Sequence, residues 1–93
     1  MSLLIQTSAE LLDWSINWAT RGLGIDTIAS SSYTQSSSDF TLSNESNTAT
    51  TTTFWLTGGI PGNFYTITNS IVTAGGRDMQ ETVIYECIAQ RLV

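Results

Sequence analysis

Two stretches of alternating residues on either side of a Gly/Pro-rich segment constrain the fold of this chain more than any other feature. The first stretch ends in Phe54-Trp55-Leu56, and the second covers residues 64–73. The segment between them contains Gly58, Gly59, Pro61 and Gly62. Proline cannot continue a β-ladder, and glycine adopts positive φ without strain. The pattern predicts two half-buried strands of an antiparallel sheet, joined by a tight turn that we interpret as a hairpin.

Tyr65 opens the second of these strands, directly after the turn. Alternation puts it on the buried face of the strand, together with Ile67, Asn69 and Ile71. In immunoglobulin-like sandwiches, a tyrosine at the start of such a strand turns its hydroxyl back onto the backbone of the preceding corner. We expect Tyr65 to form a corner of this kind, shaped by the three glycines before it.

Short strands are predicted along most of the remaining chain. The other predicted strands are residues 12–18, 26–34, 40–42 and 79–89, of which 26–34 is only weakly amphipathic. They are separated by polar turns at residues 20–24, 35–39, 43–47 and 74–78. Residues 3–7 form either a short edge strand or part of a leader. This spacing predicts a single all-β domain over residues 1–93, an immunoglobulin-like antiparallel β-sandwich of six or seven short strands.

The segment at residues 12–18 has the most strongly apolar face of the chain. Its alternating apolar residues are Leu12, Trp14, Ile16 and Trp18. A helix beginning near Ser8 fits this spacing less well, because the apolar period is two. We therefore expect Trp14 and Trp18 to be buried between two sheets.

Composition excludes most kinds of active site. The chain has no histidine and no lysine, and Cys87 is its only cysteine. Catalysis with an imidazole base, lysine chemistry and an internal disulfide are therefore excluded. The eight acidic residues show no spacing that distinguishes a catalytic pair from solvated surface charge. No enzyme activity, metal or cofactor is predicted, and Cys87 is expected to be a buried, unreactive thiol.

Charge and hydropathy exclude two classes of partner. The net charge is −5, with only three arginines, so the chain lacks the clustered cations that bind phosphates. No apolar run approaches the length that spans a bilayer, and the start of the chain lacks the pattern of a signal peptide. We predict a soluble protein with neither a nucleic-acid nor a membrane partner.

Trp55 lies on the opposite side of its predicted strand from Phe54 and Leu56. Its neighbours on that side are Thr53 and Thr57, in a chain that contains twelve serines and fifteen threonines. Neutral hydroxyls pack against a neighbour at little desolvation cost, and tryptophan is favoured at the centres of interfaces. Two interpretations follow: Trp55 is packed beneath a loop, or it anchors a protein interface together with the two threonines.

Several short motifs occur together in an order and spacing that resemble a known family. They are Asn17-Trp18, Leu23, residues 26–30, residues 55–59, Gly62, residues 65–69, residues 71–73 and Gly76-Arg77. This set resembles the fiber-tail adaptor proteins, a family of small structural proteins of tailed bacteriophages. The resemblance covers most of the chain, from residue 11 to the last strand.

The resemblance implies an immunoglobulin-like virion component of a phage or prophage, without enzymatic activity. Such a protein is made in the host bacterial cytoplasm and is placed in the neck or tail by contacts with other virion proteins or with further copies of itself. A carbohydrate-binding β-sandwich module is the alternative. That function requires a row of exposed aromatic side chains, and only Trp55 qualifies for one from the sequence.

Overall fold

Residues 3–91 are described by a computed structural model, in which they form seven strands and one 3-10 turn. The strands are β1 (Leu3–Thr7), β2 (Leu11–Asn17), β3 (Ile28–Gln35), β4 (Phe40–Asn47), β5 (Thr51–Gly58), β6 (Phe64–Thr73) and β7 (Asp78–Ile88). A four-stranded sheet has the order β1-β7-β6-β3, and a three-stranded sheet has the order β2-β5-β4. The prediction of an all-β, immunoglobulin-like sandwich is confirmed.

The strand order matches an immunoglobulin constant-type domain except at β1. In such a domain, strands A, B, E and D form one sheet and strands C, F and G form the other. Here β2, β5 and β4 take the places of B, E and D, while β3, β6 and β7 take those of C, F and G. β1 pairs with β7 in the opposite sheet and runs parallel to it. Alternation reveals which residues share a face but not strand direction, so this pairing is not visible in the sequence.

β5 and β6 do not form a hairpin, so that interpretation of the sequence is wrong. β5 is central in the three-stranded sheet and β6 belongs to the four-stranded sheet, so residues 59–63 cross between the sheets. The Gly59 N–H donates to the Asp39 carbonyl at 3.0 Å, and the Gly62 N–H donates to the Cys87 carbonyl at 2.8 Å. A Gly/Pro-rich segment can form a hairpin turn or a crossover between sheets, because its residue types specify a change of direction and not the partner of the next strand.

The turn predicted at residues 43–47 is instead a β-bulge inside β4. The register between β4 and β5 shifts between Ser43 and Ser46, and Asn44 has a positive φ of 46°. The chain reverses further on, where the Thr48 N–H donates to the Thr51 carbonyl at 2.8 Å. Asparagine tolerates the left-handed conformation in bulges as well as in turns. The polar composition of residues 43–47 therefore does not distinguish a bulge from a turn.

The predicted strand at residues 12–18 ends at Asn17, and Trp18 begins the 3-10 turn Trp18–Thr20. The Asn17 side-chain oxygen accepts a hydrogen bond from the Ala19 N–H at 3.1 Å, which satisfies a donor at the start of the turn. The Trp18 N–H donates to the Thr50 carbonyl at 2.8 Å. These contacts direct the Trp18 ring into the core, where it is 1% exposed.

The Asn69 amide on β6 joins the two sheets at the centre of the core. Its Oδ1 accepts hydrogen bonds from Trp18 Nε1 at 3.1 Å and from the Thr52 hydroxyl at 2.6 Å. Its Nδ2 donates to Ser31 Oγ at 2.8 Å and to the Ser32 carbonyl at 2.9 Å. All four bonding positions of this fully buried amide are therefore used, which removes the cost of burying it.

A second buried amide, that of Gln6 on the edge strand β1, also joins the two sheets. Its Oε1 accepts a hydrogen bond from Trp14 Nε1 at 2.8 Å, and its Nε2 donates to the Leu56 carbonyl at 2.6 Å and to the Glu10 carbonyl at 2.9 Å. Trp14 itself is half-buried and packs against the core rather than within it. The edge strand β1 is thus tied to both β2 and β5.

Candidate protein-interaction surfaces

The outward face of the three-stranded sheet is centred on β5, as alternation along that strand requires. Thr52, Phe54 and Leu56 are buried against the other sheet. Thr53, Trp55 and Thr57 point the other way and are half-buried. Trp55 is therefore an outward side chain packed among its cross-strand neighbours.

The neighbours of Trp55 add one charge to this face. Asp13 on β2 and Ser43 on β4 lie directly opposite Trp55, one on each side. Leu11, which is 55% exposed, lies opposite Thr57. The outward side of β5 carries no charge, but the wider face does, because Asp13 is exposed beside the indole. We call Leu11, Asp13, Ser43, Thr53, Trp55 and Thr57 the Trp55 face.

Tyr65 lies at the crossover between β5 and β6, where its hydroxyl bonds back onto the corner. The Ile60 N–H donates to Tyr65 Oη at 2.9 Å. The same hydroxyl donates to Asp39 Oδ2 at 3.0 Å, which links the corner to the start of β4. The ring is buried against Phe40 and Tyr85, with ring centres 4.9 Å and 5.7 Å away. This is the arrangement of the tyrosine corner in immunoglobulin-like sandwiches.

The three glycines before Tyr65 adopt the backbone conformations that the corner requires. Gly58, Gly59 and Gly62 have φ values of 92°, 104° and 94°. At Gly59 a Cβ would lie 3.1 Å from Cys87 Sγ, whereas at Gly62 a Cβ would meet nothing within 4 Å. Gly59 is thus required both for its φ and for the close approach of β7, while Gly62 is required for its φ alone.

A second apolar surface, absent from the sequence-based predictions, lies on the β1 side of the outward face of the four-stranded sheet. Its exposed members are Leu3, Ile5 and Phe64, at 52%, 40% and 65% exposure. Ile84 and Ile88 on β7 add half-buried side chains to it. The sequence does place Ile84 and Ile88 on the outward side of β7. It does not show that β1 lies beside them, because that depends on the parallel pairing of the first and last strands.

Two carboxylates are held by ion pairs with arginines and by nearby hydrogen-bond donors. The Arg91 guanidinium, with Nε 2.8 Å from Glu10 Oε2, lowers the pKa of Glu10 to about 2. The Thr73 hydroxyl, the backbone N–H groups of Thr27 and Gly75 and the Arg77 guanidinium lower the pKa of Asp26 to about 2. These contacts connect loops to strands. Neither carboxylate points into a cleft that contains a second acid.

Residues 3–91 contain no group of three His, Cys, Asp or Glu side chains placed to hold a metal ion. An open depression beside residues 22–26 is walled by the Asp26–Arg77 ion pair, whose atoms are 3.2 Å apart. The outward aromatic side chains, Trp55 and Phe64, lie on opposite sheets and form no row. No helix in this part of the chain is long and apolar enough to cross a membrane.

Comparison with known families gives one match. The family described as podophage GP4 fiber-tail adaptor protein gp77 matches residues 6–86. A search of curated proteins finds no match to the chain. The matched region runs from the buried Gln6 on β1 to Glu86 on β7 and includes all of β2 to β6. Because the match extends over most of its length, the chain belongs to the fiber-tail adaptor family of podophages.

Proposed function

We propose that this protein is a non-enzymatic adaptor of the virion that acts through protein–protein contacts, with the Trp55 face as one contact surface. The observation that carries the proposal is the outward, half-buried Trp55 at the centre of a three-stranded sheet, flanked by threonines. A large amphipathic ring can be covered by a partner with little loss of hydration, and Asp13 beside it requires a hydrogen-bond donor or a cation from that partner.

Membership of the adaptor family favours contacts with other virion proteins over a soluble ligand. The partner of the Trp55 face is either a neighbouring virion protein or a second copy of this chain. A head-to-tail contact between copies closes into a ring when its rotation permits, which suits the symmetric neck and tail of a phage. On this proposal the protein is made in the bacterial cytoplasm and works in the assembled particle.

The test is Trp55→Ala in the phage or prophage background, scored for particle assembly. The purified variant is compared with the wild type by thermal melting. We expect failed assembly together with a melting temperature close to that of the wild type, because the removed ring lies outside the core.

Thr34→Ala is the matched control, since Thr34 is exposed on the outward face of β3, in the other sheet. This variant should assemble normally. A Trp55→Ala protein that melts much earlier would place Trp55 in the core, and normal assembly with normal melting would remove the Trp55 face from the contact.

A further inference from the structure

Glu86 stands in the middle of the apolar surface on the four-stranded sheet. In the strand register, Ile5 on β1 and Phe64 on β6 lie directly opposite Glu86, one on each side. Leu3 lies opposite Ile84 in the next outward row, and Ile88 follows at the other end. Three of the seven large apolar side chains that are exposed in residues 3–91 belong to this surface. We call Leu3, Ile5, Phe64, Ile84, Glu86 and Ile88 the Glu86 patch.

Strand geometry makes this patch continuous. Adjacent strands lie about 4.8 Å apart, and outward residues along one strand are about 7 Å apart. The patch therefore spans about 10 Å across three strands and about 13 Å along β7. Clustering of exposed apolar side chains around a single charge is typical of an interaction surface, whereas scattered ones are not.

The Glu86 carboxylate is half-buried and has no hydrogen-bond or ion-pair partner within residues 3–91. Each arginine already has an acidic partner: Arg21 pairs with Glu81, Arg77 with Asp26, and Arg91 with Glu10. Arg91 lies at the edge of the patch, where its Nη2 donates to the Ile5 carbonyl at 3.4 Å, but its guanidinium is held by Glu10 and not by Glu86. Covering the patch with an apolar surface alone would bury this carboxylate without a counter-charge, which is strongly unfavourable. A partner that covers the patch must therefore bring a cation.

We propose that the Glu86 patch binds another virion protein through an apolar surface that carries an arginine or lysine aimed at Glu86. A second copy of this chain fits poorly, because the chain has no lysine and its arginines already form ion pairs. The inference rests on the proposed adaptor function and adds to it a second contact on the opposite side of the sandwich from Trp55. One face for each neighbour is the arrangement an adaptor needs.

The probes are the other structural proteins of the same virion, each purified and titrated separately with the full-length chain. One of them should bind the wild type and bind Glu86→Arg about tenfold or more weakly, because a buried charge pair becomes a repulsion. Glu86→Gln should weaken the same complex less. Replacing one arginine or lysine of that protein by glutamate should restore binding to Glu86→Arg, and Trp55→Ala should leave this complex unchanged.

The variants are first compared with the wild type by circular dichroism and thermal melting. If Glu86→Arg does not fold, Phe64→Ser and Glu86→Gln take its place, since both change the outward face only. Equal binding of the patch variants and the wild type would overturn the inference while leaving the adaptor function intact. Dimerisation of the wild type that Glu86→Arg abolishes would also overturn it, in favour of a second copy. The adaptor function itself fails if no virion protein binds the wild type and if, in addition, particles that carry Trp55→Ala assemble normally.

Discussion

Single polar side chains decide how the core of this sandwich is held together. Asn69 and Gln6 are both completely buried, and each is bonded to a tryptophan from the other sheet or its adjoining turn. A buried amide that loses one partner keeps the cost of its burial without the compensating bond. The tryptophans therefore contribute to stability through their nitrogens as well as their rings.

Trp18→Ala should destabilise the fold by about 3–5 kcal/mol, because it leaves a cavity and removes one bond from Asn69. Trp14→Ala should cost clearly less, since Trp14 is half-buried at the margin of the core. Urea denaturation measures the loss of unfolding free energy for both variants, provided that their m values equal that of the wild type. Equal losses for the two variants would contradict the difference in burial.

Tyr65→Phe should reduce stability by about 0.5–1.5 kcal/mol while preserving the fold, because only the hydroxyl contacts to Ile60, Asp39 and Asn63 are lost. Tyr33→Phe is the control. The Tyr33 hydroxyl is buried without a hydrogen-bond partner among residues 3–91, so its removal should be neutral or slightly stabilising. A Tyr65→Phe midpoint in denaturant that equals the wild-type midpoint would show that the corner bond contributes nothing.

At the scale of the elements, the crossover between β5 and β6 depends on where a Cβ can be accommodated. Gly59→Ala combines a strained φ with a contact 3.1 Å from Cys87 Sγ, whereas Gly62→Ala has the strain alone. Gly59→Ala should therefore lose about 1–3 kcal/mol more than Gly62→Ala, the usual cost of overpacking. The two denaturation midpoints, measured side by side, test this, and a larger loss for Gly62→Ala would refute the packing argument.

The strands themselves were largely predictable, and their partners were not. The alternation of Tyr65 with Ile67 and Asn69 identified the inward face of β6, because burial imposes a period of two. The same pattern gave no sign that β5 and β6 lie in different sheets, since partner choice depends on contacts far apart in sequence. The sequence pattern therefore predicts Trp55 as an outward residue, because this depends on one strand alone. It does not predict the Glu86 patch, because the patch is assembled from three strands.

For the molecule as a whole, acid should weaken the fold through Asp26. Its folded pKa of about 2 lies below the ordinary value of 3.8, so its contribution is present above pH 3.8 and is lost as the pH falls toward 2. The Asp26→Asn variant should be less stable than the wild type at pH 6, and the gap should be much smaller at pH 2. Thermal melting at the two pH values measures the gap, and a gap independent of pH would exclude this linkage.

The parallel pairing of β1 with β7 also determines how the domain responds to tension. The two strands run in the same direction and share five paired positions, from Leu3 opposite Ile84 to Thr7 opposite Ile88. A force that pulls the start of β1 away from the end of β7 slides the strands along each other, so the rungs between them are loaded together rather than opened one after another. Forced unfolding is governed by the height of the unfolding barrier, which such simultaneous loading raises. The pairing of β1 with β7 is therefore expected to resist tension applied along these two strands.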